Sequence, residues 1–173
     1  MNPLLRVVIL FVPLIVAGLI HMAVVKFDLF PSLKIPIHQR WFGGNKTWRG
    51  VVVMPLATAL AAYLAFVIWP EVFGGANWFL LGLLQGIAYV LSELPNSYFK
   101  RRVGVEPGKR PPRYAALFAL ADQGDFVFGC ALVYWLMLKL SSGMVLLLIV
   151  MGPLIHLIVN FSLYLLRLRK EPI

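Results

Sequence analysis

Five long apolar runs limit what this chain can fold into. Each has close to the ~20 residues that a helix needs to cross a bilayer. The chain is 61% hydrophobic and 13% charged, whereas ordinary soluble domains are ~25% charged. We therefore predict an all-α integral membrane protein with about five transmembrane helices, in a single domain covering residues 1–173. The runs are roughly Leu4–Val25, Val51–Pro70, Asn77–Leu94, Ala119–Leu138 and Met144–Leu166.

The basic residues are distributed unevenly among the connecting segments. Apart from Arg6 and Lys139, they fall in loop 26–50, in loop 98–118 and in the C-terminal tail. Cytoplasmic loops of membrane proteins are enriched in Lys and Arg. We therefore predict that the N-terminus lies outside, with the two long loops, the C-terminus and the polar chemistry on the cytoplasmic side. Topology and phosphate binding account for the net charge of +9, so no nucleic acid partner is expected.

Three carboxylates interrupt the apolar runs. Glu93 lies in AYVLSELPNSYF, and Asp122 and Asp125 lie in FALADQGDFVFG. A charge near lipid is costly and normally faces the bundle interior or a wet cavity. Asp122 and Asp125 are three residues apart and therefore share a helix face. With no intramembrane cation nearby they would repel each other, which favours a bound cation, and oxygen ligands suit Mg²⁺. The alternative is a solvated pair at a helix end, with Asp122 as an N-cap.

A basic segment rich in Gly and Pro, SYFKRRVGVEPGKRPPRY, precedes the aspartates. Basic residues that face paired acids around a metal are typical of polyphosphate-handling sites. The topology rule, or attraction to anionic headgroups, would also explain the charge, but not the density of Gly and Pro. The basic residues of this segment are Lys100, Arg101, Arg102, Lys109, Arg110 and Arg113.

The stretch FGGNKTWRG, residues 42–50, looks at first like a nucleotide phosphate loop. It does not match G-x-x-x-x-G-K-[ST], because an asparagine separates Gly44 from Lys46 and the first glycine of the pattern is missing. Its chemistry still suits phosphate. Backbone amides near Gly43 and Gly44 permit close approach, and Lys46 and Arg49 supply charged donors near the start of the second helix. The alternative is a cytoplasmic turn anchored at the interface by its tryptophan.

A third polar pair lies in the last run, GPLIHLIVNFSLY. His156 and Asn160 are four residues apart and share a helix face. Such a pair is commonly an interhelical hydrogen-bonding device, and substrate binding is the alternative. His21 in the first run is interpreted as a packing or interface residue.

Taken together and in this order, FGGNKTWRG, SELPNSYFKRRVG, LADQGDFVFG and HLIVN resemble the CDP-archaeol synthase family, which is related to the CDP-diacylglycerol synthases. The resemblance covers about Trp41 to Leu166. It implies a Mg²⁺-dependent enzyme that moves a cytidylyl group from CTP to the phosphate of a lipid in the bilayer. In archaea that lipid is an unsaturated geranylgeranyl glycerol ether phosphate, and the products are a CDP-lipid and pyrophosphate.

The resemblance also implies roles for particular residues. The family's S-x-x-K-R element falls here on Ser97, Lys100 and Arg101. Family members usually have Gly-Asp before this element, where this chain has Ser92 and Glu93, so the carboxylate is kept one methylene longer. The expected catalytic residues are Asp122, Asp125, Lys100, Arg101 and Glu93, and the expected metal ligands are Asp122, Asp125 and Glu93. The expected substrate-binding residues are Gly43, Gly44, Lys46, Thr47, Arg49, Asn96, Ser97, Arg102, His156 and Asn160.

Two other classes of function are compatible with parts of the sequence. Intramembrane carboxylates often mark proton or cation pathways, as in a small transporter, but such proteins tend to have inverted repeats and we find none. A membrane scaffold could recruit anionic lipid through the basic loops, and it would not need the three acids.

Overall fold

The computed structural model describes residues 1–107, 109, 115–165 and 167, without the side chains of residues 115 and 116. Five of its helices are long and apolar enough to cross a membrane, namely α1, α3, α5, α6 and α7. The predicted all-α membrane fold is therefore confirmed, whereas its orientation stays a prediction. The helices in chain order are α1 (Pro3–Lys26), α2 (Gln39–Phe42), α3 (Trp48–Ile68), α4 (Pro70–Phe73), α5 (Trp78–Arg102), α6 (Ala115–Leu138) and α7 (Ser142–Leu165).

The five long helices form a closed ring. Helix α1 contacts α3 and α7, α3 also contacts α5, and α6 contacts α5 and α7. One part of the interior is filled by large side chains, including the fully buried Tyr134, Phe73 and Leu10. The Tyr134 hydroxyl donates a hydrogen bond to the Leu10 carbonyl. The polar side chains gather instead where the C-terminal ends of α1, α5 and α7 meet the N-terminal ends of α3 and α6, which we call the polar end.

The α3–α5 contact depends on two glycines in the α5 sequence GLLQG. A Cβ atom at Gly82 would lie 2.5 Å from the Ala59 Cα, and one at Gly86 would lie 2.4 Å from the Pro55 Cα. Both distances are too short for any side chain. Small residues four apart let membrane helices pack backbone against backbone, so this pair fixes α5 close to α3.

Gly86→Ala is expected to destabilise the bundle by about 1–3 kcal/mol, because the added methyl group has no space against α3. The measurement is thermal unfolding in detergent. Gly18→Ala is the matched control, since nothing lies within 4 Å of a Cβ at Gly18. Equal melting temperatures for the two variants would contradict the close α3–α5 contact.

The predicted boundary between α5 and the following loop was wrong. Helix α5 continues from Leu94 through Pro95 to Arg102, so the first basic residues of the segment lie on its last turn and not in a loop. Proline is tolerated inside membrane helices because neighbouring groups satisfy the freed backbone carbonyl. Helix α3 begins at Trp48, three residues before the predicted apolar run Val51–Pro70. Arg110, Arg113, Arg169 and Lys170 lie outside the described residues.

Candidate active site

Because α5 continues past Pro95, it presents one polar face to α6. Glu93, Asn96, Ser97 and Lys100 are spaced three or four residues apart in the pairs 93/96, 93/97, 96/100 and 97/100, so they share this face. All four are half-buried. The face therefore places a carboxylate, an amide, a hydroxyl and an ammonium group along one side of the helix, next to the start of α6.

The two aspartates of α6 face this surface together. The Asn96 side-chain amide donates to Asp122 Oδ1 over 2.7 Å and to Asp125 Oδ2 over 2.9 Å. One amide can reach both carboxylates only if they point the same way, as their spacing predicts. The assumption that no cation lies near them was wrong, because Lys100 forms an ion pair with Asp122. Lys100 is one turn beyond Asn96 on the extended α5, which the sequence analysis ended too early.

One carboxylate oxygen of the aspartate pair has no hydrogen-bond partner among the described residues. This oxygen is the buried Asp125 Oδ1. A buried carboxylate oxygen without a partner is costly, and a bound cation would satisfy it. The described residues contain no group of three His, Cys, Asp or Glu side chains arranged to hold a metal. Mg²⁺ is usually held by one or two carboxylates together with substrate phosphates, so Asp122 and Asp125 fit a metal that is completed by a nucleotide.

Lys46 reaches the same surface from the loop between α2 and α3. The loop folds back on itself, since the Ile37 amide donates to the Lys46 carbonyl over 2.9 Å and the Trp48 amide to the Ile35 carbonyl over 3.0 Å. The Lys46 ammonium group forms an ion pair with the Glu93 carboxylate. Burial would lower the pKa of Lys46, but the Glu93 carboxylate together with Asp125 and Asp122 outweighs burial, and the pKa is raised. Lys46 therefore stays charged at neutral pH.

Gly43 and Arg101 close this surface on the loop side. Gly43 has φ +86°, and a Cβ there would lie 2.9 Å from the Pro107 Cγ and 3.2 Å from the Arg101 Nη1. Its amide donates to the Gln39 carbonyl over 3.0 Å, so that donor is already engaged. Nε and Nη1 of Arg101 are buried and have no hydrogen-bond partner in the described part of the chain. Arg101 thus offers unused donors beside an exposed Gly44.

Arg49 makes no hydrogen bond or ion pair with Glu93, Asp122 or Asp125 in the described part of the chain. Its side chain is buried and donates to Asp28 Oδ1 over 2.8 Å and to the Leu29 carbonyl over 3.3 Å. The hydrogen bond from Arg49 holds the pKa of Asp28 below its usual value. These contacts tie the segment after α1 to the start of α3. Arg49 therefore has a structural role that the sequence did not reveal.

The other predicted residues lie around the edge of the site. The exposed Arg102 places its guanidinium 5.9 Å from the centre of the Tyr98 ring. Lys109 pairs with Glu106 over 2.7 Å at the surface. Thr47 immediately precedes α3 and makes an isolated β-bridge with Pro36.

The His156–Asn160 pair joins α7 to α6 at the polar end. Asn160 Nδ2 donates to the side-chain oxygen of Gln123 over 3.0 Å, and both residues are buried. His156 Nδ1 lies 3.4 Å from the Gln123 carbonyl oxygen. The pair thus holds the residue between Asp122 and Asp125, as expected of an interhelical device.

Asn160→Ala is expected to lower the stability by about 1 kcal/mol, the usual size of such a bond in membrane helices, because Gln123 loses its partner. The KM for the nucleotide that the resemblance implies should stay unchanged. Thermal unfolding and steady-state kinetics measure the two effects, and Ser162→Ala on the exposed face of α7 is the control. A severalfold rise in KM without a loss of stability would instead indicate contact with the nucleotide.

Two further residues, His21 and Tyr89, lie near Glu93, although the sequence indicated only a packing or interface role for His21 and no role for Tyr89. His21 of α1 is in electrostatic reach of Glu93, Lys46 and Arg49, and a Cβ at Gly50 would lie 3.5 Å from its Nε2. The partly buried side chain of Tyr89 sits one helical turn before Glu93 and interacts with it. A histidine in an otherwise apolar helix and a tyrosine four residues before a carboxylate were the available signals.

A family model described as CarS-like, CDP-archaeol synthase, matches residues 4–172. The CDP-archaeol synthase of Thermococcus onnurineus (strain NA1) is 31% identical over 128 residues, which cover 73% of this chain and 71% of that protein. That of Pyrobaculum aerophilum is 33% identical over 134 residues, which cover 78% and 74%. No solved structure matches significantly. The chain belongs to the CDP-archaeol synthase family.

Proposed function

We propose that this protein transfers a cytidylyl group from CTP to the phosphate of an archaeal membrane lipid, giving a CDP-lipid and pyrophosphate. Relatives named CDP-archaeol synthase support this reaction class. The structural observation behind the proposal is the Asn96-bridged aspartate pair, with one unpartnered oxygen on Asp125. Such a site suits a metal-bound polyphosphate.

Asp122 and Asp125 would hold Mg²⁺ together with substrate phosphates, and Glu93 would join them as a third carboxylate only after releasing Lys46. The ion would neutralise charge on the triphosphate and orient it. Asn96 keeps the two aspartates directed to one place, since it donates to both. Pairing with Lys46 and Lys100 neutralises Glu93 and Asp122 in the structure described here.

The cations of the site bind the phosphates. Lys46 and Lys100 are largely buried, with side chains 23% and 16% exposed, so solvent screens their charges poorly. Arg101 adds two buried donors without partners. CTP and a lipid phosphate are both anions and repel each other. Positive groups fixed around the meeting point reduce that repulsion and stabilise the transition state.

The lipid phosphate is already an anion, so it needs no strong general base. One of its oxygens attacks the α-phosphorus of CTP, and the bond from that phosphorus to the bridging oxygen of the β-phosphate breaks. The bond electrons leave with pyrophosphate. Catalysis is then mainly positioning and charge neutralisation.

The depth of the site suits a substrate that stays in the membrane. Glu93 lies nine residues before the end of α5 and Asp125 ten residues after the start of α6, which is about 14 Å along each helix. The lipid phosphate can therefore reach the carboxylates while its chains remain between helices in the bilayer. We place this end on the cytoplasmic side, where basic loops concentrate.

The test is to incubate the purified protein with labelled CTP, Mg²⁺ and a panel of lipid phosphates that differ in ether or ester linkage and in chain type. Pyrophosphate and a labelled CDP-lipid are expected, and chelation of the metal should stop both. Ion flux in vesicles without CTP consumption would favour a transporter instead.

A further inference from the structure

A second charged site lies at the end of the bundle opposite to the polar end. A cavity of about 320 Å³ is lined there by Arg6 of α1, by residues 72–76 at and after the end of α4, and by residues 137–139 at the end of α6. Among the described residues, Arg6 and Lys139 are the two basic side chains at this end. The structure brings both to one cavity, although they are 133 positions apart in the chain.

Neither charge is neutralised by a described residue. Arg6 Nη2 makes a long contact of 3.4 Å with the Val72 carbonyl, and Arg6 Nε is buried without a partner. Lys139 is exposed and pairs with no described carboxylate. Glu71 lies in the adjoining α4, but it is exposed and does not line the cavity.

The topology rule does not explain this arrangement. That rule lowers the number of basic residues at one end of a membrane protein, but it does not make the remaining ones converge. A buried guanidinium nitrogen without a partner is unfavourable. In addition, Lys139 has φ +49°, a left-handed backbone conformation that lysine rarely adopts and that is often retained at functional sites.

We infer that this cavity binds a phosphate-bearing anion, either a lipid headgroup or a soluble phosphate. Arg6 Nε and the Lys139 ammonium group supply charged donors. Gly74 and Gly75, both with positive φ, form a wall without bulky side chains. The volume falls at the lower end of the ~300–1,000 Å³ that is typical of small-molecule sites.

This site is independent of the proposed transfer reaction. Arg6 lies fifteen residues before His21 on α1, which corresponds to about 22 Å along the helix. Loss of anion binding at this cavity can therefore be observed without loss of cytidylyl transfer, and the reverse.

The experiment measures binding of phosphatidylglycerol, a phosphodiester that cannot accept a cytidylyl group, to the full chain in phosphatidylcholine nanodiscs. Lys139→Ala should weaken this binding about fivefold, the contribution of one basic side chain near a lipid phosphate, and Lys139→Glu should weaken it further. Cytidylyl transfer and thermal stability should remain at wild-type values. Arg6→Gln keeps a donor for the Val72 carbonyl and tests the second cation.

Lys26→Ala is the matched control, because Lys26 is an exposed lysine at the polar end. Unchanged binding in both Lys139 variants, or an equal loss in Lys26→Ala, would overturn the inference. A separate arm titrates glycerol phosphate into the nanodiscs. Displacement of the lipid identifies a general phosphate site, and failure to displace it identifies a headgroup site that also needs the lipid chains.

Discussion

Asp125→Asn is expected to abolish cytidylyl transfer and to leave the bundle folded. The substitution keeps the shape of the side chain and an oxygen that can accept from Asn96, but it removes the charge that a metal requires. Loss of one such electrostatic group typically lowers the rate by about 10²–10³. Because Glu93 and Asp122 lie close enough to repel Asp125, the variant should melt at the same or a higher temperature than the wild type.

The measurements are initial rates of pyrophosphate release at several Mg²⁺ concentrations and thermal unfolding in detergent. Glu71→Gln is the control, since Glu71 is an exposed carboxylate far from the site. Near wild-type turnover by Asp125→Asn would show that the metal assignment is wrong. Loss of both folding and turnover would show a structural role.

The five long helices were predictable because hydrophobic length dominates folding in a bilayer. The residues at which these helices begin and end at the polar end were less predictable. Pro95 and the polar residues after it resembled a helix stop, yet α5 continues for two further turns to Arg102. In membrane helices, neighbouring groups can satisfy the backbone carbonyl that a proline frees, and tertiary contacts of that kind are invisible in local sequence. The close α3–α5 packing was visible in GLLQG but was overlooked.

The sequence predicted which residues belong to the site, but it was less informative about which of them form ion pairs with each other. Spacing alone placed Asp122 and Asp125 on one face. It could not show that Lys46 pairs with Glu93 or that Arg49 turns away to Asp28, although Lys46 and Arg49 are only three residues apart. The fold of the loop before α3 decides these partners, through backbone hydrogen bonds that no sequence motif specifies.

Lys46→Met is expected to lower both stability and kcat/KM for CTP. Stability falls because Glu93 is left largely buried without its partner, and breaking one side of a buried pair costs up to about 3–5 kcal/mol. With both side chains still about one-fifth exposed, solvent should reduce this cost. Transfer falls about hundredfold, because a phosphate-binding cation is lost.

Glu93→Gln in the same chain separates these two effects. In Lys46→Met/Glu93→Gln no unpaired charge remains at this position, so the melting temperature should return towards the wild-type value. Transfer should stay low, since neither the cation nor the third carboxylate is restored. Lys34→Met is the matched control, because Lys34 is an exposed lysine of the same loop that pairs with Asp28. Wild-type transfer by the double variant would mean that the Lys46–Glu93 pair only holds the loop against α5, and the phosphates would then have to be bound by Lys100 and Arg101 alone.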